Sequence, residues 1–435
     1  MYYFIGIKGT GMAALASILS DLGYEVIGSD LDKHFFTEDD LLKRGIKILP
    51  FNPNNIKDNY TVIIGNAFLD DFEEVKVALS NPTCKCYRYH EFLGEFIKNY
   101  ISIGVTGSHG KTTTTTMLKN VLNSFDNTGY LIGDGEGHVD KNAKYICIEA
   151  DEFRRHFLSY NLDYAIINNI EIDHIDYFKD EIDYFNAYQE FVKNVKNLVI
   201  YNGEDKWCNK LDFNGLDHFS YGLNKGFDFY ATNIIEKVDG VSFDFYYLDK
   251  FINHFDLKLV GRHLLLDSLG VISLAYKLNY DLKVVEVALN NSKGPKRRYV
   301  IEEYNGSVFI DDYAHHPTEV KVTLECTKLR YPNDNIVAVF KPHRASRVKY
   351  FLDEFAESLK LADKVYLLDF TSIDDKQDGS DIDINALKDK ISGAEVLEEN
   401  ENGAKLLAKH AGSVFVFMSS KDIYNLANLT KNYIK

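Results

Sequence analysis

Residues 106–112 read Thr-Gly-Ser-His-Gly-Lys-Thr, directly after an alternating apolar run, Ile101, Ile103 and Val105, that reads as a strand. Met117, Leu118, Val121 and Leu122 follow at the spacing of one buried helix face. Strand, glycine loop, Lys-Thr and helix together hold nucleotide phosphates. Backbone N–H groups and the helix N-terminus face the anion, the lysine neutralises β/γ oxygens, and the hydroxyl reaches a divalent cation. The spacing here is Gly-x-x-Gly-Lys-Thr, two residues shorter than the general phosphate-loop form. Gly107, Ser108, His109, Gly110, Lys111, Thr112 and Thr113 are therefore the expected nucleotide-binding residues, with ATP as the ligand and Mg²⁺ beside it.

Working outward, strands and helices alternate through the whole chain. Tyr3–Ile7 reads as a strand, Gly9–Leu22 as a helix and Glu25–Ser29 as the next strand, opening a βα region that runs to about Asn99. The phosphate-loop strand starts a second unit, to which the apolar runs Ile146–Ile148, Ala165–Ile167 and Leu198–Tyr201 add strands. An aromatic, more antiparallel stretch from His218 to Leu259 and a helical pattern over His263–Leu278 complete it. Ser292-Lys-Gly-Pro-Lys296 is the expected linker, because Gly-Pro interrupts helix and sheet alike. Val308–Ile310, Ile336–Phe340, Lys364–Leu368 and Ser413–Met418 are the expected strands of a third unit. The expectation is three α/β domains, residues 1–99, 100–294 and 295–435, with mostly parallel sheets and right-handed crossovers.

The 435 residues are 45% hydrophobic and 26% charged, ordinary for a globular chain with ample core. Lys and Arg number 49 against 65 Asp and Glu, a net charge of −16, so no global basic field favours nucleic acid or an anionic membrane. No apolar run reaches spanning length, and the N-terminus enters a strand without a basic region, so a cytoplasmic location is expected. Cys84, Cys86, Cys147, Cys208 and Cys326 form no disulfide pattern. Cys84-Lys-Cys86 with His90 lacks the second pair that a zinc site needs.

Three further constellations carry chemistry. Gly6-Ile-Lys-Gly9-Thr-Gly11 lies between strand and helix, and Asp30 follows the second strand, where a ribose-binding acid belongs. That placement makes NAD a rival, but the order of glycines is not the dinucleotide one, so the general reading is a diphosphate on this helix N-terminus. Glu149-Ala-Asp151-Glu152 closes one strand and Asn168-Asn-Ile-Glu-Ile-Asp173-His174 closes another, along the edge shared with the phosphate loop. Glu149 and His174 are the expected Mg²⁺ ligands there. Past the linker come Asp311-Asp312-Tyr-Ala-His315-His316-Pro-Thr-Glu319 and Lys341-Pro-His343-Arg344-Ala-Ser-Arg347, each after a strand. An arginine pair in such a loop suits a carboxylate.

Taken together, these stretches resemble the Mur ligase family, in the family's order and over essentially the whole chain. The segments that carry the resemblance are Phe4-Ile-Gly-Ile-Lys-Gly-Thr-Gly-Met12, Gly107-Ser-His-Gly-Lys-Thr-Thr113, Glu149-Ala-Asp-Glu-Phe-Arg-Arg-His-Phe157, Asn169-Ile-Glu-Ile-Asp-His174, Lys296-Arg-Arg298 and Asp311-Asp-Tyr-Ala-His-His-Pro-Thr-Glu319. Glu152-Phe-Arg-Arg-His-Phe157 and Arg88-Tyr-His-Glu-Phe-Leu-Gly94 look like the Gram-positive form of the alanine-adding branch. The resemblance implies a Rossmann-like UDP-sugar domain, a central P-loop ATPase domain and a C-terminal Rossmann-like domain that closes over both. It implies ATP-dependent joining of L-alanine to UDP-N-acetylmuramate through an acyl phosphate, in peptidoglycan precursor synthesis. It further implies that Lys111 holds the phosphates, that Thr112, Glu149 and His174 bind Mg²⁺, and that Arg297, Arg298, Asp311 and Asp312 serve the nucleotide. Gly9, Thr10, Gly11, Met12 and Asp30 would hold the UDP portion, and His315, His316, Arg344 and Arg347 the amino-acid or acyl-phosphate end. The stretch around Gln189 offers no lysine for carboxylation, as in the alanine-adding branch.

The chain departs from the family pattern at two places. The family's Gly-x-His-Asn-x-x-Asn reads Gly261-Arg-His263-Leu264-Leu-Leu-Asp267, and its Gly-Ala-Gly-Asp reads Ser419-Ser420-Lys421-Asp422. The first change removes two amides expected at an adenine edge, and the second removes glycines where backbone nears a ligand. A catalytically weakened homologue that binds UDP-sugar is one alternative. A recycling ligase that takes a preformed peptide is another.

Overall fold

The computed structural model describes residues 1–292, 294, 297–370 and 381–434. Lys293, Pro295 and Lys296 of the expected linker lie outside the described residues. Three sheets organise the chain. The first comprises β1 (Tyr2–Ile5), β2 (Val26–Asp30), β3 (Lys47–Pro50), β4 (Thr61–Ile64) and β5 (Lys85–Arg88), all parallel, in the order β3-β2-β1-β4-β5. β1 is covered on both faces and reads as an unbroken apolar run, Tyr-Tyr-Phe-Ile, as parallel core strands do. The edge strands β3 and β5 begin with the exposed residues Lys47 and Lys85, which guard the sheet against pairing and hide the strands from an apolar-run search. Chain order turns back across β1, so the crevice at the carboxyl ends of β1 and β4 is where this unit presents a ligand site.

The middle sheet has ten strands. β6 (Ile101–Thr106), β7 (Thr128–Leu131), β8 (Gly137–His138), β9 (Tyr145–Glu149), β10 (Leu162–Ile167), β11 (Val195–Asn202), β12 (Asp217–Gly222), β13 (Phe229–Lys237), β14 (Gly240–Tyr247) and β15 (Lys250–Leu257) run in the order β15-β14-β13-β12-β11-β10-β6-β9-β7-β8. The antiparallel stretch expected from His218 begins later: β12 pairs in parallel with both neighbours, and reversal starts between β13 and β14. β6 lies between β9 and β10, so the phosphate loop and both acidic strand ends meet at one switch point. Helices Lys111–Asn123 and Arg262–Lys277 cover one face, where Leu118, Val121, Leu265, Leu269 and Ile272 share one core cluster. The β7–β8 hairpin reaches the first unit: a Cβ on Gly137 would come within 2.4 Å of the Ala14 carbonyl oxygen, so only glycine permits the approach.

The third sheet orders β16 (Val300–Tyr304), β17 (Ser307–Asp312), β18 (Ile336–Phe340), β19 (Lys364–Leu368), β20 (Glu395–Leu397) and β21 (Val414–Met418) as β16-β17-β21-β18-β19-β20. Only β16 is antiparallel. The fold is thus three-domain α/β with mostly parallel sheets. Among the described residues no helix is long and apolar enough to cross a membrane.

Candidate active site

The phosphate loop is built from two left-handed glycines, Gly107 at φ +142° and Gly110 at φ +80°. A Cβ on Gly110 would meet the Asp267 Oδ1 at 2.6 Å and the Asn168 Nδ2 at 2.8 Å, so neither conformation nor space admits another residue. Gly110 caps the helix Lys111–Asn123, whose first turn carries no acid, leaving its N–H groups for an anion. Lys111 folds over the loop: its Nζ donates to the Gly107 carbonyl at 2.6 Å and to the Glu152 Oε2 at 2.8 Å. Burial works against its charge, but Glu152, then Asp151 and Glu149, hold the ammonium above its usual pKa.

Two clusters of potential metal-ligating side chains flank this lysine. At the first, Glu149 leaves β9 with its Oε1 accepting the Gly133 N–H at 2.7 Å, and the Thr112 hydroxyl is within hydrogen-bond reach of the same carboxylate. Burial raises the Glu149 carboxyl pKa, against Gly133, Lys111 and Thr112, which lower it. At the second, Asp151, Glu152 and His174 bring one ligand atom each within 4.8 Å of one another. His174 holds φ +52°, its Nε2 lies 3.6 Å from the Glu152 Oε1, and its ring packs on Phe153. The resemblance implies Thr112 and Glu149 at one Mg²⁺ and His174 at a second metal. The structure places Thr112 beside Glu149 and His174 beside Glu152, an acid the sequence pattern does not single out. Its signal was position three after Glu149, beyond the strand end, and its complete burial is visible only in three dimensions. Hard oxygen donors beside a phosphate loop fit Mg²⁺.

A cavity of about 390 Å³ opens from the loop. His109, Gly110, Thr112 and Thr113 line one wall, Leu264 and Asp267 a second, and Arg298, Asp312 and Glu319 of the third unit close it. Burial raises the Asp267 carboxyl to about 8, against Thr114, Arg298 and His109. Leu264 and Asp267 both line the cavity, and Asp267 also lies directly against Gly110. Burial likewise raises Asp312 to about 6, and its carboxylate accepts the Tyr299 and Ala314 N–H groups at 2.8 Å each. Arg297 and Asp311 are absent from this lining. Arg297 donates to the Ser419 and Lys421 carbonyls at 2.8 and 2.9 Å, and its Nε is 3.7 Å from Asp311. The non-glycine turn Ser419–Lys421 thereby serves as an anchor for that arginine.

Three models of one family match in tandem. "Mur ligase family, catalytic domain" covers residues 1–101, "Mur ligase middle domain" 105–275 and "Mur ligase, glutamate ligase domain" 296–421. The chain belongs to the Mur ligase family. Its members are ATP-dependent carbon–nitrogen ligases of peptidoglycan synthesis, and this chain is such a ligase. It is similar to the UDP-N-acetylmuramate–alanine ligase of Thermotoga maritima, with 26% identity, TM-score 0.82 and coverage of 99% of this chain and 98% of that one. A murein peptide ligase from Psychrobacter arcticus shares 23% identity over 100% and 98% of the two chains, with TM-score 0.74. The MurF ligase of Thermotoga maritima, solved with ADP, shares 18% over 94% and 95%, with TM-score 0.67. The last two likenesses speak to the fold.

In this ligase the C-terminal arginines pair with acids of the middle unit. Arg347, only 3% exposed, donates through Nε and Nη2 to the Asp173 Oδ1 at 3.0 and 2.6 Å, and Arg344 pairs with Asp176 at 2.5 Å. Burial raises the Asp173 carboxyl, but Arg347 together with His174, His316 and His315 holds it well below the usual range. His315 Nδ1 lies 3.0 Å from Glu319, and His316 caps the helix Pro317–Arg330. In the first unit, Gly9 caps the helix Thr10–Asp21 without a side-chain cap, and Met12 is buried beneath it. Gly11 faces the Tyr89 ring, 2.7 Å from where a Cβ would stand. Asp30 accepts the Lys8 and Leu31 N–H groups at 2.7 Å each, so its carboxylate shapes the glycine loop directly.

Proposed function

We propose that this ligase joins L-alanine to UDP-N-acetylmuramate, with ATP cleaved to ADP and phosphate. The observation that carries this reading is the phosphate loop with Lys111, Thr112 and Glu149 at one end of a cavity that Arg298 and Asp312 close. The choice of alanine rests on the likeness to the Thermotoga maritima alanine ligase over the full length of both chains. The lactyl carboxylate attacks the γ-phosphate and ADP departs, leaving an acyl phosphate. The amine of alanine then attacks the acyl carbon, loses a proton and expels phosphate. A free carboxylate acylates poorly, so phosphorylation supplies the leaving group, and the protein contributes position and charge.

Each group has work that its surroundings permit. Lys111 is held charged and sits over the loop, where phosphate oxygens compete with Glu152 for its protons. Thr112 with Glu149, and His174 with Asp151 and Glu152, offer the donors that would hold Mg²⁺, which supplies charge neutralisation on the phosphates. The uncapped N-terminus at Gly9, Thr10 and Gly11, on the loop that Asp30 shapes, suits the UDP diphosphate. His315, Arg344 and Arg347 gather at the junction with the metal-side loop, where the acyl phosphate and alanine carboxylate would lie.

The test is phosphate release with ATP, Mg²⁺ and UDP-N-acetylmuramate against a panel of amino acids and peptides. Release with alanine above the rest is expected. Preference for a tripeptide would make this a recycling ligase, and no release with any donor would mark a binding homologue.

A further inference from the structure

The tip of the β7–β8 hairpin, residues 132–136, stands between the glycine loop of the first unit and the phosphate loop of the second. It is a closed turn. Ile132 N–H donates to the Glu136 carbonyl at 2.8 Å, Gly135 N–H to the Ile132 carbonyl at 3.2 Å, and Glu136 N–H to the Asp134 Oδ1 at 3.1 Å. On one side, the Gly133 N–H holds the Glu149 Oε1 at 2.7 Å, and a Cβ on Gly133 would come within 2.5 Å of Oε2. On the other side, Gly135 at φ +91° faces the first unit, where a Cβ would stand 2.9 Å from the Thr37 Cγ2 and 4.0 Å from the Thr10 carbonyl oxygen. Thr37 is itself tied to the glycine loop, its hydroxyl donating to the Lys8 carbonyl at 2.6 Å. Behind the tip, His138 Nδ1 lies 2.6 Å from the Asp21 Oδ2 of the first unit. Lys119 of the phosphate-loop helix lies 3.7 Å from Glu136 and 4.0 Å over the Tyr130 ring.

We infer that Gly133 is a positioning residue for the cation at Glu149, and that the first unit sets it through Thr37 and Gly135. The inference rests on the reading of Glu149 as a Mg²⁺ ligand. One carboxylate oxygen held by a fixed N–H sets the rotation of the group, and so the direction of its remaining lone pairs. Mg²⁺ demands near-ideal octahedral geometry, so an error in that direction weakens binding. Only Asp134 separates the two contacts, and the hydrogen bonds of the turn make it one body, so a displacement at Gly135 reaches Gly133. Thr10 and Thr37 flank the loop proposed for the UDP diphosphate, and a sugar nucleotide seated there stiffens the wall on which the tip rests. Sugar-nucleotide and Mg²⁺ affinities are thereby linked, each raising the other by the same factor.

The test reads binding rather than turnover. The Mg²⁺ concentration at half-maximal binding of a non-hydrolysable ATP analogue is measured by calorimetry, with and without saturating UDP-N-acetylmuramate. In the parent the sugar nucleotide should lower that midpoint by about fivefold or more. Gly133→Ala drives the carboxylate aside and should raise the midpoint about tenfold, while analogue affinity at saturating Mg²⁺ and the melting temperature stay at the parent values. Gly135→Ala should abolish the sugar-nucleotide effect. Adding Thr37→Ser, which removes the methyl that the new Cβ meets, should restore it. The inference is overturned if Gly133→Ala keeps the parent midpoint while Glu149→Gln raises it, if bound sugar nucleotide leaves the parent midpoint unmoved, or if the double variant behaves as Gly135→Ala does. A parent-like midpoint in Glu149→Gln overturns instead the metal reading beneath the inference, and no binding of UDP-N-acetylmuramate overturns the substrate reading.

Discussion

Replacing Asp267 by asparagine tests how a carboxyl survives beside a phosphate loop. Its Oδ1 lies so close to Gly110 that no Cβ fits between them, and it is buried. An ionised carboxylate there faces the same space as the nucleotide phosphates. Burial raises its pKa to about 8, above the opposing pull of Thr114, Arg298 and His109, so the acid is neutral at pH 7. A neutral carboxyl offers a donor and an acceptor, as asparagine does. Nucleotide that binds only the neutral form sees its affinity fall by the neutral fraction, which is about one part in eleven at pH 9. The expected loss from pH 7 to pH 9 is thus about tenfold, or about 1.4 kcal/mol. Stability has the same direction. A raised acid pKa means the native state keeps a proton that the unfolded chain has released, so native stability declines as pH rises from about 4 to about 8. Asp267→Asn removes both slopes. The assay is titration with a non-hydrolysable ATP analogue and Mg²⁺ at pH 7, 8 and 9, for parent and variant. A flat parent profile, or an equal fall in the variant, refutes the reasoning.

Lys111→Ala should abolish phosphate release while UDP-N-acetylmuramate affinity, measured by calorimetry, stays within about twofold, because the proposed diphosphate site is on another unit. Leu264→Asn, on the cavity wall, should tighten the ATP analogue by ~0.5–1.5 kcal/mol, one recovered hydrogen bond; unchanged affinity would move the base away from this helix. Arg347→Ala strands the buried Asp173 and should cost about 3–5 kcal/mol in urea unfolding, beyond any kinetic effect; parent-like stability would show that the pair is replaceable by water.

The fold was legible where burial is two-sided. β1 and β18 are unbroken apolar runs and stand within two residues of where their pattern placed them; β6 alternates along its length, and β10 begins three residues before the expected Ala165. The edge strands β3, β5 and β20 carry Lys47, Lys85 and Glu395 in exposed positions, so their pattern did not separate them from loops. The phosphate loop was legible for a different reason: its function is local, written in glycines that need left-handed φ. Glu152, Asp173 and Glu171 were not. Each acts through a residue far along the chain, Lys111, Arg347 and Thr318, and spacing says nothing of such pairs. Asp267 shows the limit most sharply. Its departure from the family pattern was evident, but its place against Gly110 exists only once two helices pack.

The stretch from Glu171 to Asp176 ends the parallel strand β10 and carries four duties in six residues. Glu171 holds Thr318, Asp173 holds Arg347, Asp176 holds Arg344, and His174 stands among them facing Glu152. Docking of one lobe and alignment of a metal ligand are thus fused into a single mechanical part. A rate lost at Asp176 would mimic a defect in chemistry although that residue acts through its pairing with Arg344. Genetic screens of this stretch will therefore return null alleles without telling gears from blades, and only paired changes across the seam can sort them.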